Sequence, residues 1–292
     1  MKSIQSLSVI VPGNKCINNC ACCVSRISND DHLYINQLEN NLPFYDLYLD
    51  DYIKRLEFCR DNGCNTLMLT GNIDPQCNIR FLTDFGIMMR LMQKPFRNIE
   101  FQTTGASIDT KFLRFLRNHV GVSTISLSMF HLNYELNRDM RQGPPLDIQQ
   151  ICKDIKLYDF NLRISLNLND TIENDYTPES LIDRIEMLGA NQITFRELYQ
   201  NGDDTPQSKW VREHQISSDF QNKMKTYLNF NSNFQSETEY GMSLYHVDGM
   251  SIGIDSDCMS KDMNGKEAYK YFILRPNAKL YSSWDDPASL IF

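Results

Sequence analysis

The stretch QSLSVIVPGNKCINNCACCVSRI, Gln5–Ile27, decides how the rest of the chain is read. Its first part, residues 5–11, is apolar and partly β-branched and reads as a buried strand. Its second part is an irregular loop that holds Cys16, Cys20, Cys22 and Cys23. In α/β folds the loops after the carboxyl ends of parallel strands converge, and chemistry gathers there. A thiol-rich loop directly after a first strand therefore marks a site if strands and helices alternate along the rest of the chain.

Working outward, extended apolar pieces alternate with segments of helical spacing. Strands are predicted over 65–70, 98–105, 122–130, 161–169 and 191–198, and helices over 44–63, 78–93, 109–120, 146–159 and 177–190. Asp109 and Thr177-Pro178 stand where N-caps are expected, while Gly63 and Lys94-Pro95 are helix stops. Each of the first five strands is followed by a helix, the pattern of parallel strands joined by crossover helices. Six units fall short of the eight of a closed barrel. The expectation is an α/β fold, a partial (β/α)6 barrel over residues 1–200.

Beyond residue 200 the alternation stops. Residues 208–229 read as helix, and short extended pieces follow at 249–255, 270–276 and 279–286, with a tight turn at Asn277-Ala278. This makes 201–292 a C-terminal extension of helix plus short antiparallel strands, expected to close the barrel and contact substrate.

Apolar residues make up 41% and charged residues 23% of the 292, the composition of a soluble globular chain. The net charge of −8 argues against nucleic-acid binding through bulk charge. No apolar run reaches membrane length, and LSVIV is too short for a signal-peptide core, so a cytoplasmic protein is expected. Thiols stay reduced there, and nine cysteines is an odd number, so a disulfide framework fits poorly. Clustered thiols then point to metal or to chemistry. Cys16, Cys20 and Cys23 have the spacing C-x3-C-x2-C, which suits three corners of an iron–sulfur cube with one iron left open. A structural zinc with Cys22 or His32 as fourth ligand is the competing reading, and it would make the chain a non-catalytic interaction module.

With these residues, CINNCACC resembles the cluster signature of the radical S-adenosylmethionine superfamily. TGNIDPQCN, residues 70–78, is similar to that family's Gly-rich turn T-G-x-G-E-P-x-x-N. Gly71, Pro75 and Asn78 match, Asp74 replaces glutamate and Ile73 replaces the second glycine. Cys22 stands where many members carry an aromatic residue. The resemblance implies one [4Fe–4S] cluster on Cys16, Cys20 and Cys23, with S-adenosylmethionine chelated at the open iron. It further implies cofactor contacts from Gly71, Asn72, Asp74, Ser128 and Asn167; Thr104, polar at the end of its strand, and Arg196 are added as candidates, although the family more often has an apolar contact at the latter position. On the strand of residues 193–199, Arg196 and Glu197 point to opposite faces, and only one can enter the cavity. A reductant of the flavodoxin or ferredoxin type is implied as partner.

The substrate expected from this resemblance is a peptide or a small nucleotide- or sugar-like molecule, with tRNA or nucleoside modification as the alternative. Cys258, the lone cysteine of the tail, is a candidate hydrogen donor to a substrate radical. Arg212, His214, Arg275, Lys279, Trp284, Asp285 and Asp286 are further candidate substrate contacts.

Overall fold

The first strand forms where the apolar stretch placed it. The structure, a computed structural model, describes residues 3–13, 15–27, 49–92, 96–238, 242–256, 268–284 and 286–292. Strand β1 is Ser3–Ile10. Its alternation sorts side chains to two faces. Leu7 and Val9 join the large core beneath the helices, and Ile10 joins a separate cluster with Tyr271, Ile273 and Tyr281.

Helix α1 (Leu49–Asp61), β2 (Thr66–Thr70), α2 (Ile79–Leu91), β3 (Asn98–Thr103), α3 (Thr110–Phe115) and β4 (Thr124–Met129) follow in order. Then come α4 (Tyr134–Arg141), α5 (Ile148–Leu157), β5 (Asn161–Leu168), α6 (Asp170–Asp175), α7 (Pro178–Glu186) and β6 (Gln192–Glu197). Strands β1 to β6 pair in sequence and in parallel. Asp109 caps α3 through Phe112 N, and Thr177 caps α7 in a reciprocal pair with Ser180. Such caps are each worth about 1 kcal/mol. Helices α4 and α6, in the connections after β4 and β5, were not expected from the sequence. The predicted helix over 208–229 is two helices, α8 (Pro206–Glu213) and α9 (Ser218–Asn231). It breaks because Ser217 caps the second through Phe220 N, while the His214 carbonyl accepts from Asp170 N.

The tail does more than add antiparallel strands. Strands β7 (Phe234–Glu237), β8 (Ser243–Val247) and β9 (Met250–Asp255) form an antiparallel meander, and β10 (Ala268–Leu274) turns back onto β11 (Leu280–Tyr281). The Asn277-Ala278 turn is present, with Ala278 at φ 58° and its N–H on Arg275 O. Yet β9 pairs in parallel with β6, and β10 in parallel with β1. The 11-stranded sheet therefore runs β11-β10-β1-β2-β3-β4-β5-β6-β9-β8-β7. Lys270 Nζ on β10 lies 3.0 Å from Asp255 Oδ1 on β9. These strands flank the β1–β6 run on its two sides, so the sheet curls far enough for a side chain to bridge them.

The inside of this curl is polar at the amino ends of the strands. Arg163 on β5 pairs with the buried Glu100 on β3, and its Nε donates to Gln192 Oε1 on β6. They line a cavity of about 340 Å³ with Ser6, Thr66 and Thr194. Among the described residues no helix is long and apolar enough to cross a membrane.

Candidate functional site

The cysteine loop leaves the carboxyl end of β1 and is held from the side by α4. The last carbonyls of a helix have no partner within it. Here the loop supplies them: Ala21 N donates to Met140 O at 2.9 Å, and Asn19 N to Arg141 O at 3.2 Å. Gln142 ends the helix in the left-handed region at φ 49°.

The loop brings Cys16, Cys20 and Cys23 together. Burial pushes the Cys20 thiol up to about 12, and the nearby Cys23 and Cys16 add to the rise, while Arg141 opposes it. The Cys23 thiol is raised as well, first by burial. Cys22 is buried beside them, in a small apolar cluster with Ile27, Phe130, Met140, Leu198 and Val211 against which Cys20 also packs. Among the described residues no group of three His, Cys, Asp or Glu side chains converges on a single-ion site.

The Gly-rich turn lies against this loop. A Cβ on Gly71 would meet the Val11 carbonyl at 2.8 Å, so the glycine is demanded by the approach of the turn to the end of β1. Asp74 N points at Cys16 Sγ, 3.4 Å away. The Asp74 carboxylate is buried. Its Oδ2 accepts from Thr104 N and Thr104 Oγ1, both at 2.8 Å, and its Oδ1 has no hydrogen-bond partner. Burial raises its pKa, and the Thr104 and Thr103 donors work against that rise. Asn72 is half-buried in the same turn. Cys77, for which the sequence carried no signal, is exposed at the end of the turn and takes a hydrogen bond from the Ile17 backbone.

Asn18 and Arg141 were also missed. Asn18 Nδ2 donates to Thr104 Oγ1 at 2.9 Å, and Asn18 Oδ1 accepts from Arg141. The chain Arg141–Asn18–Thr104–Asp74 ties α4, the cysteine loop, the end of β3 and the Gly-rich turn into one buried network. An asparagine inside a cysteine signature carries no local signal of such a role.

On the inner face, register aligns the remaining candidates. Ser128 lies beside Ser165, and Asn167 beside Arg196. Asn167 Nδ2 donates to Met129 O at 3.1 Å and lies 3.4 Å from Ser128 Oγ. Arg196 shares its face with Gln192 and Thr194, which line the interior cavity. Its Nε is buried without a hydrogen-bond partner. Glu197 takes the other face. Burial raises its carboxyl, Lys225 lowers it and Asp255 raises it further.

The other candidates have local work. His214 Nδ1 is 2.9 Å from Asp170 Oδ1, and its ring packs on Trp210. Arg212 donates to Asp203 O. Arg275 is buried, donates to Trp284 O at 2.6 Å and lies over the Tyr281 ring. Trp284 packs on the Ile10 cluster. Lys279 N donates to Asn277 Oδ1, and Asp286 caps the last short turn through Ala288 N. Cys258, His32 and Asp285 lie outside the described residues.

This curled parallel sheet is similar in fold to the partial barrels of solved enzymes, among them one described as a radical SAM enzyme. SuiB of Streptococcus suis bound to S-adenosylmethionine is similar at a TM-score of 0.61 and 12% identity, over 96% of this chain and 60% of SuiB. The enzyme anSMEcpe with bound AdoMet gives 0.60 and 13%, over 97% of this chain and 75% of that one. Coproporphyrinogen III oxidase (HemN) of Escherichia coli, described as a radical SAM enzyme, gives 0.52 and 14%, over 78% of this chain and 52% of HemN. This chain thus spans about half to three fifths of the length of HemN and SuiB. At these identities the likeness is one of fold. No protein-family profile matches the chain, and no curated protein does.

Proposed function

We propose that the chain is a radical S-adenosylmethionine enzyme. One observation carries this reading: three mutually interacting thiols share one short loop at the carboxyl end of the first strand of such a barrel. Buried thiols resist ionising on their own, and iron removes that obstacle.

Cys16, Cys20 and Cys23 would hold the [4Fe–4S] cluster, and S-adenosylmethionine would be its partner cofactor. When bound, cluster and S-adenosylmethionine would together supply the radical chemistry by which hydrogen is taken from a substrate. The protein orients and shields. Asp74 N donates to Cys16 Sγ and fixes the Gly-rich turn against the loop. Gly71, Asn72, Asp74 and Thr104 border the cofactor on one side, and Ser128, Asn167 and Arg196 on the other. The 201–292 extension closes the barrel, and Cys258 is its candidate hydrogen donor.

A peptide or a small molecule is the proposed substrate. Among the similar structures, SuiB was solved with the precursor peptide SuiA, and anSMEcpe with the Cp18Cys peptide. A flavodoxin- or ferredoxin-type protein supplies the electron, and the cytoplasm is the proposed location.

The test is anaerobic reconstitution with iron and sulfide, reduction with dithionite and addition of S-adenosylmethionine. 5'-Deoxyadenosine is expected from the wild type and not from a Cys16/Cys20/Cys23 triple alanine variant. Bound zinc without iron would overturn the reading.

A further inference from the structure

Arg141 is a buried cation held by neutral groups. Only 1% of it is exposed. Its guanidinium donates to Asn18 Oδ1 and to Pro144 O, and its Nε has no hydrogen-bond partner. A Cβ on Gly143 would run into both Asn18 Oδ1 and the Arg141 guanidinium, so the backbone wraps closely around this contact. A guanidinium keeps its proton in proteins. Burying one without a counter-charge is strongly unfavourable. Negative charge has to come from nearby. Cys20 and the buried Asp74 are within electrostatic reach of it, and either favours its charge when ionised.

We propose that Arg141 is the positioning cation of the cysteine loop, set through Asn18, and that its charge fixes how readily a cluster on that loop takes an electron. This rests on the function proposed above. Three thiolates around a [4Fe–4S] core leave one negative charge on the oxidised cluster and two on the reduced one. A fixed positive charge in a low-dielectric setting favours the more negative state, and charge around a cluster is one of the factors that set its potential. The electron comes from the external reductant, and no proton is needed for it to settle. Asn18 sits between Cys16 and Cys20 in the chain, so its bond to Arg141 also fixes the loop from which two of the thiols project.

The experiment uses the full chain, reconstituted anaerobically, as wild type, Arg141→Lys, Arg141→Gln and Asn18→Asp. Iron and sulfide contents are measured first, and the midpoint potential is then read by EPR-monitored titration without S-adenosylmethionine. Arg141→Gln is expected to shift the midpoint to more negative values and Arg141→Lys to stay near the wild type. Asn18→Asp places a carboxylate against the guanidinium at the cost of the Asn18 Nδ2 bond to Thr104 Oγ1, and should also shift the midpoint down. A purely structural role would lower cluster content and leave the midpoint unmoved. A wild-type midpoint in Arg141→Gln, or in Asn18→Asp where Arg141→Gln does not fold, overturns the proposal. An unmoved midpoint with weakened S-adenosylmethionine binding does so too, and assigns the guanidinium to the cofactor's carboxylate. Wild type that takes up no iron overturns the cluster reading itself, and this inference with it.

Discussion

The side chain of Ile73 fills the space that a Cβ on Gly13 would occupy. Ile73 stands where the Gly-rich turn of the resembled family has its second glycine, and it is buried here. Turn and loop approach closely at this point because residue 13 has no side chain. Gly13→Ala should destabilise the protein by about 1–3 kcal/mol through overpacking. Ile73→Ala should remove most of that penalty in the double variant, read as a coupling energy in a denaturation cycle. Additive effects would mean that the two residues do not share this space.

Asp74 and Thr104 give a second prediction. Asp74→Ala leaves Thr104 N without its acceptor and takes away a partner of Thr104 Oγ1. The expected loss is about 2 kcal/mol in the cluster-free protein, measured by urea unfolding. Asp74→Asn should lose less, because its amide oxygen still accepts. Equal losses would show that the carboxylate's charge, and not its hydrogen bonding, is what matters.

The burial of Cys22 in an apolar cluster predicts a split between two adjacent cysteines. Cys22→Ser buries a hydroxyl among Ile27, Phe130 and Val211. It should lower stability by about 1–3 kcal/mol and leave iron content unchanged. Cys23→Ser should do the reverse, with iron lost and stability of the iron-free chain little altered. Iron loss in the Cys22 variant would assign the third ligand to that residue.

His131 predicts a pH dependence. It is fully buried, its Nδ1 accepts from Asn133 N at 2.9 Å, and burial lowers its pKa from 6.5 despite the pull of Asp175. A histidine kept neutral in the fold takes up a proton more readily when unfolded. Its contribution is therefore present above pH 6.5 and is lost as the pH falls through the lowered value. His131→Asn keeps an acceptor for Asn133 N but cannot titrate. It should be less stable than wild type at neutral pH, and the gap in melting temperature should narrow as the pH drops below 6.5. A constant gap would exclude the titration.

Local chemistry settled a good deal in advance. Hydrophobic spacing marked β1 to β6 and the helices between them, because burial on one face leaves its period in the chain. Asp109 and Thr177 announced helix starts, because a cap bonds only to residues two or three positions on. The C-x3-C-x2-C spacing needed nothing beyond its own loop, and Cys16, Cys20 and Cys23 come together within it.

Other features were decided by residues far apart. That β9 and β10 flank the parallel run depended on which sheet edges were left open, and the Lys270–Asp255 contact spans strands no local pattern links. Cys22 and Cys23 are neighbours in an irregular loop, where no period says which one faces the core. Arg141 looks like any surface arginine at the end of a polar helix, with an apolar residue on only one side. It becomes a buried cation only when the cysteine loop folds over it and takes up the last carbonyls of that helix. Propensities and short-range bonds are written in neighbouring residues, whereas burial and charge pairing depend on every segment that arrives later.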